Sequence, residues 1–182
     1  MVQTFLKWLA ELSPKILIET PKPKPSPLAL EKYRIHHLPA TALLSDTDPG
    51  IRYYGALQPT FADLIVDDVI LVGSRDSGLP GEFKKEISRI ENQARIQIFL
   101  PRSFSNDFDL LHVPHRLALE NPNVLTEIID GSTFPDLLRQ HLVYHEPKVF
   151  VNGWSLVGFP QSEEAFLEEV LRLAGQPEQP YY

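Results

Sequence analysis

The sequence predicts an α/β protein of two related units, the first lacking its opening strand. Three observations lead there. The 182 residues are 43% hydrophobic and 23% charged, a globular balance with enough apolar side chains for a sizeable core. Short β-branched runs alternate with helically spaced apolar residues along the whole chain. The order of elements also repeats. The second half reads strand, helix, strand, helix, strand, strand, helix, and the first reads helix, strand, helix, strand, strand, helix. The two orders match, apart from that strand, with a period of about 80–90 residues. The boundary falls at the Ser77-Gly78-Leu79-Pro80 break, giving units 1–76 and 77–182.

The elements follow in order. Phe5, Leu6, Trp8, Leu9 and Leu12 form one apolar face, interrupted by Lys7 and Glu11, so Met1–Leu12 reads as an amphipathic helix rather than a signal peptide. Lys15–Glu19 is β-branched enough for a strand. Pro21, Pro23, Pro25 and Pro27 impose a stiff, extended spacer. Leu28–Tyr33 is a short helix, and Ala40–Ser45 and Ile51–Tyr54 are strands around the turn Asp46-Thr47-Asp48-Pro49-Gly50. Phe61–Val72 has helical spacing but a β-branched content, and either state fits it. A polar helix reaches Ile90, Arg95–Leu100 is a strand, Phe104–Asn121 a helix, and Val124–Asp130 a strand. Phe134–Leu142 is a helix, and Lys148–Val151 and Ser155–Gly158 form a hairpin about Asn152-Gly153. Ser162–Leu173 closes as an amphipathic helix with carboxylates in its first turn, where the helix dipole favours them.

Charge and composition exclude several functions. Seventeen Lys and Arg stand against 24 Asp and Glu, a net charge of -7, so nucleic acid and anionic membrane surfaces are not expected partners. No apolar run approaches the roughly 20 residues of a membrane span, and a cytoplasmic location is expected. The chain has no cysteine. Disulfides, cysteine-based zinc sites, iron–sulfur ligation and thiol nucleophiles are therefore all absent.

Two stretches, Arg34–Ala42 (RIHHLPATA) and His145–Gly153 (HEPKVFVNG), each place a proline just before a strand. Between them, Gly50-Ile51-Arg52-Tyr53-Tyr54-Gly55 precedes Phe61, Leu64, Ile65 and Asp67. From Phe5 to Gly175 this pattern resembles the glutaredoxin-like protein disulfide oxidoreductases of archaea and thermophilic bacteria. It is also similar to the N-terminal domain of the flavoprotein subunit of alkyl hydroperoxide reductase. The resemblance implies two fused thioredoxin-like units, with Pro39 and Pro147 at the family's cis-proline positions. It also implies a Cys-x-x-Cys motif where the second unit's first strand meets its helix. That junction reads Pro101-Arg102-Ser103-Phe104-Ser105-Asn106-Asp107, with Phe104 and Asp107 in the cysteine positions. Thiol–disulfide exchange needs a thiolate, so the resemblance implies the fold and not the activity. It further places Glu146, before Pro147, opposite Phe104–Asp107, in a groove that would hold an extended peptide and be acidic.

Other constellations are weaker. His112 and His115 are three residues apart and His141 and His145 four, spacings that could place two imidazoles on one helix face. Pro114 disturbs the first pair, and His145 lies past the expected helix end. His36 and His37, just before Pro39, are read the same way, as surface or capping histidines. Ser103 and Ser105 lack a Gly-x-Ser-x-Gly context. Asp67 and Asp68 are expected to face solvent, and Glu127 and Asp130 have no evident partner. The expected function is a redox-inactive binding or structural module that contacts a protein partner through Phe104, Asp107, Glu146, Pro147 and Pro39, without a cofactor. The alternatives are a non-thiol enzyme or metal-binding protein using His112, His115, His145, Glu146 or Asp107, and an accessory partner of a thiol redox system. The missing strand leaves a slot beside Ala40–Ser45. Lys15–Glu19 is expected to move inward and fill it, failing which a strand of another chain would do so and give an oligomer through an open sheet edge.

Overall fold

The computed structural model describes residues 2–20, 24–55, 61–102, 104 and 109–179. Helix α1 spans Val2–Glu11 and turns Leu9 into the core. Helix α2, Pro27–Lys32, starts where Ser26 accepts the Ala29 N–H and Pro27 occupies the first helical position. Strands β1 (Ala40–Leu43) and β2 (Ile51–Tyr54) form an antiparallel hairpin, and α3 covers Ala62–Ser74. The ambiguous Phe61–Val72 run is thus helical, because Leu64, Ile65, Asp68 and Val72 form one buried helical face.

The second unit follows with α4 (Gly81–Ile87), β3 (Ala94–Leu100), α5 (His112–Glu120), β4 (Val124–Asp130), α6 (Pro135–Gln140), β5 (Lys148–Val151), β6 (Trp154–Ser155) and α7 (Glu163–Ala174). Of the expected Phe104–Asn121 helix, the described residues show a 3-10 turn at Asp109–Leu111 that runs into α5, while 105–108 lie outside the described residues. Pro114 is accommodated because it lies in the first turn of α5, where an N–H has no intrahelical acceptor. Asn152 and Gly153 both have positive φ, 51° and 80°, and make the two-residue turn between β5 and β6. Ser162 caps α7 by accepting the Ala165 N–H.

One six-stranded sheet runs through both units in the order β1-β2-β4-β3-β5-β6. Strands β3 and β4 are parallel, β5 is antiparallel to β3, and the two units join where β2 pairs in parallel with β4. Helices α1, α3, α4, α5 and α7 bury one face, with Ile51, Tyr53, Ile96, Ile98, Leu100, Ile128, Val149 and Val151 of the sheet. On the other face Tyr54, Phe99, Ile129 and Phe150 pack against Leu138 of α6, with Ile35 and Phe134 beside them.

Lys15–Glu19 is not a strand. The Ile16 N–H bonds the Ser13 carbonyl at 3.0 Å, so a turn takes up the start of the run, and Leu17 is left 83% exposed. Only Ile16 packs on the core. The run therefore does not fill the slot beside β1, and among the described residues β1 ends the sheet.

Candidate functional site

Both proline-preceded strands start at the same end of the sheet. The Leu38–Pro39 peptide is cis and is the only cis bond among the described residues. The resemblance also implied a cis bond at Pro147, and this position departs from it. Cross-strand partners form one line, Ala40–Tyr54–Ile129–Phe99–Lys148. Pro39 and Pro147 thus sit at opposite ends of a row four strand spacings long, about 19 Å. They cannot line one narrow groove. Pro147 is buried and Glu146 exposed at the loop before β5, while Pro39 is exposed and its carbonyl accepts the Gly55 N–H at 2.9 Å. Phe104 is half-buried, with its ring stacked 6.1 Å from Phe61, so it belongs to the edge of the core. Asp107, Ser103 and Ser105 lie outside the described residues. A shallow depression of about 230 Å³ at the end of β3 is lined by Arg102, Arg139 and Tyr144 among others.

The larger cleft lies between the 34–39 segment and α6. It measures about 570 Å³. Its floor is made by Arg95, Gln97, Phe99, Ile129 and Phe150, and a second cross-strand row, Ala42–Arg52–Glu127–Gln97–Phe150, runs beside the first. Alternation along β3 and β4 turns Arg95, Gln97 and Phe99, and Glu127 and Ile129, to this face. Glu127 is fully buried yet well partnered. It accepts from Tyr54 Oη at 3.0 Å, Arg95 Nε at 2.8 Å and Gln97 Nε2 at 2.9 Å. Tyr54 Oη in turn accepts the His36 N–H at 3.1 Å, so one phenol fastens the 34–39 segment to the sheet. Burial and the facing Glu127 carboxylate push the Tyr54 hydroxyl well above the ordinary phenol value, so it stays protonated as the donor. Arg52, also fully buried, donates to the Tyr33 carbonyl at 2.7 Å and pairs with Asp48.

Three histidines line the cleft. His36 Nε2 is 4.0 Å from Glu127, and burial followed by the Arg95 charge lowers its pKa. His37 packs edge-on to Tyr54 at 5.5 Å and is lowered chiefly by burial. His141 stacks on Phe99 at 4.2 Å, with Nδ1 2.9 Å from the Leu137 carbonyl. That contact assigns the proton to Nδ1 and leaves Nε2 an acceptor in the neutral ring. The arrangement offers aromatic rings on the floor with hydrogen-bonding groups along one side. Among the described residues no three His, Asp or Glu stand close enough to hold a metal ion.

A second polar cluster lies on the opposite face and corrects two expectations. Asp68 and His115 are not at the surface but fully buried. His115 Nδ1 lies 2.7 Å from Asp68 Oδ2, and Tyr53 donates its hydroxyl to the same carboxylate. His112 Nδ1 is 3.5 Å from Asp68 Oδ1 and its Nε2 3.6 Å from Asp67. Burial alone would raise the Asp68 pKa, but the His115 charge and the surrounding donors outweigh it and bring it down to about 2. Among the described residues His115 Nε2 meets no hydrogen-bond partner. The cluster ties α3 of the first unit to α5 of the second. His145, the remaining histidine, is exposed.

No family model matches the chain. The F subunit of alkyl hydroperoxide reductase (AhpF) from Pseudomonas aeruginosa is 25% identical over 107 residues, which are 58% of this chain and 20% of that protein. AhpF of Pseudomonas putida matches to the same extent. The chain thus spans about a fifth of the length of these curated relatives. Among solved structures, the N-terminal domain of AhpF from Enterococcus faecalis superposes with a TM-score of 0.82 at 26% identity, over 93% of this chain and 82% of that one. A protein disulfide oxidoreductase from Aeropyrum pernix has a TM-score of 0.71 at 21% identity, covering 84% of this chain and 67% of its own. The chain, which has no cysteine, is thus similar in sequence and in fold to the N-terminal domain of AhpF, with the tandem thioredoxin-type fold.

Proposed function

We propose that this protein is a redox-inactive tandem thioredoxin-type module that binds a polypeptide partner, with 1–76 and 77–182 as its two units. The observation carrying this reading is the combination of no cysteine with an open cleft of about 570 Å³ on the face between the two proline loops. The 141–147 loop connects the features. His141 and Leu142 border the cleft, while Glu146 and Pro147 lead into β5 beside the end of β3, which Phe104 follows. Pro39 marks the equivalent position at the far side. Tyr144, His145 and Glu146 are exposed and free to be covered. A cysteine-free chain needs no oxidising compartment, and this reading takes the cytoplasm as its location. No helix among the described residues is long and apolar enough to cross a membrane.

The test compares capture by the wild-type chain with capture by a Tyr144→Ala, Glu146→Lys double variant. Both side chains are exposed, so the melting temperature should hold. Loss of specifically captured proteins, quantified by mass spectrometry, supports the reading, and equal capture retires the loop as contact surface. A second reading rests on the likeness to a component of a peroxide reductase. In it the captured partner is a cysteine-bearing redox protein, and capture enriched in such proteins favours it.

A further inference from the structure

We propose that β1 is a self-pairing edge, through which two copies of the chain join their sheets in antiparallel register. The backbone carries the first part of the case. Gly55 N–H bonds the Pro39 carbonyl at 2.9 Å, and Ala40 faces Tyr54. Hydrogen-bonded and non-hydrogen-bonded pairs alternate along an antiparallel ladder. Thr41 and Leu43 therefore spend their N–H and C=O groups on β2, and those of Ala40 and Ala42 point outward. No described backbone group meets them.

The second unit shows what such an edge takes. Strand β5 holds the place equivalent to β1, after a proline and at the head of a hairpin, and its outer side is filled by antiparallel β3. The slot at β1 therefore calls for an antiparallel strand. A two-fold axis normal to the sheet gives this same orientation when β1 meets β1.

The side chains favour a second copy over a foreign strand. From Leu38 to Ser45 there is no charged residue, although the chain carries a net charge of -7. The usual protections of an exposed edge, a lysine, an inward charge or a bulge, are missing from Ala40–Leu43. The edge neither repels its own copy nor offers a charge for another protein to read. Pairing Ala40 with Ala42 of the second copy satisfies the outward groups of both residues in each copy. In that register Thr41 faces Thr41 of the second copy. Leu38, 53% exposed, and Leu44, 44% exposed, flank the strand, so a solvated leucine lies near each end of the pairing.

The absence of native cysteine makes the test clean. Facing residues of a non-hydrogen-bonded pair have Cα atoms about 4.5 Å apart, within disulfide reach. The full chain carrying Thr41→Cys should form a disulfide-linked dimer under mild oxidation. A Val157→Cys chain, substituted at a fully exposed site, should not. Light scattering across micromolar concentrations should show wild type doubling in mass and Ala42→Pro remaining monomeric. The Ala42 N–H serves no bond to β2, so the proline variant should keep its melting temperature. A wild-type chain that is monomeric throughout, or a Thr41→Cys chain that links no better than Val157→Cys, overturns the proposal and leaves the slot to a strand of another protein.

Discussion

At the scale of single residues, the buried carboxylates decide most. Glu127 compensates Arg95, whose side chain is only 12% exposed. Glu127→Gln keeps the shape and removes the carboxylate charge that the nearly buried Arg95 guanidinium bonds at 2.8 Å. We expect a loss of roughly 3 kcal/mol, read as a lower urea midpoint at unchanged slope. Asp68 gives a pH-dependent counterpart. Its folded pKa of about 2 lies below the ordinary 3.8, so its contribution is complete above the unfolded value and disappears as pH falls from there through 2. Asp68→Asn should cost on the order of 2 kcal/mol at neutral pH and flatten the decline of stability between pH 4 and 2, measured by urea unfolding at stepped pH. Neither residue is legible as buried from sequence. A carboxylate reads as solvent-facing unless its partners are known, and those of Glu127 lie on two other strands, β2 and β3. A signal is present nonetheless. Arg95 and Gln97, two apart on β3, and Glu127 on neighbouring β4 occupy the same face of adjacent strands, where opposite charges pair. Pro114 hides the pairing of His112 and His115, because proline reads as a breaker within a helix, whereas in the first turn of α5 it is tolerated.

At the scale of elements, the sequence is most readable where patterning and turn chemistry agree. Ile51–Tyr54 and Val124–Asp130 are strands over those same residues, and the Asn152-Gly153 turn and the Ser162 cap sit where their side chains predict. It is least readable where tertiary context rules. Lys15–Glu19 has the composition of a strand, but a turn from Ser13 to Ile16 takes up its start and it does not reach the open edge of β1. The prediction at this scale concerns the entry to β2. Gly50 has φ +79°, and a Cβ there would lie 2.4 Å from the Val124 carbonyl oxygen, at the seam between the units. Gly50→Ala combines a disfavoured conformation with a backbone clash. It should destabilise by about 1–3 kcal/mol or more, seen as a lowered melting temperature. Gly73→Ala, on an exposed helix position with open space around it, is the matched control and should be neutral or stabilising.

At the scale of the whole molecule, the chain joins the tandem thioredoxin-type fold to a sequence with no cysteine. Purified protein should reduce or isomerise no disulfide above a buffer blank in insulin turnover assays, under any thiol condition, because no side chain can form the mixed disulfide. The α/β class and the repeat of units are visible in element order. The cleft is not, since it is built from the 34–39 segment and α6, which sequence order keeps far apart. The seam between the units also bears on synthesis. Tyr54 and Glu127, bonded across it, are 73 residues apart. At roughly 5–20 residues per second, a ribosome takes roughly 4–15 s to make that stretch. For that time the nascent β1–β2 hairpin has no β4 to lie against, and Tyr53, Tyr54 and Ile51 remain without their burial partners. Translation thus holds the first unit open until the second emerges, and that interval is when chaperones, or the hairpin of a neighbouring nascent chain, find it exposed.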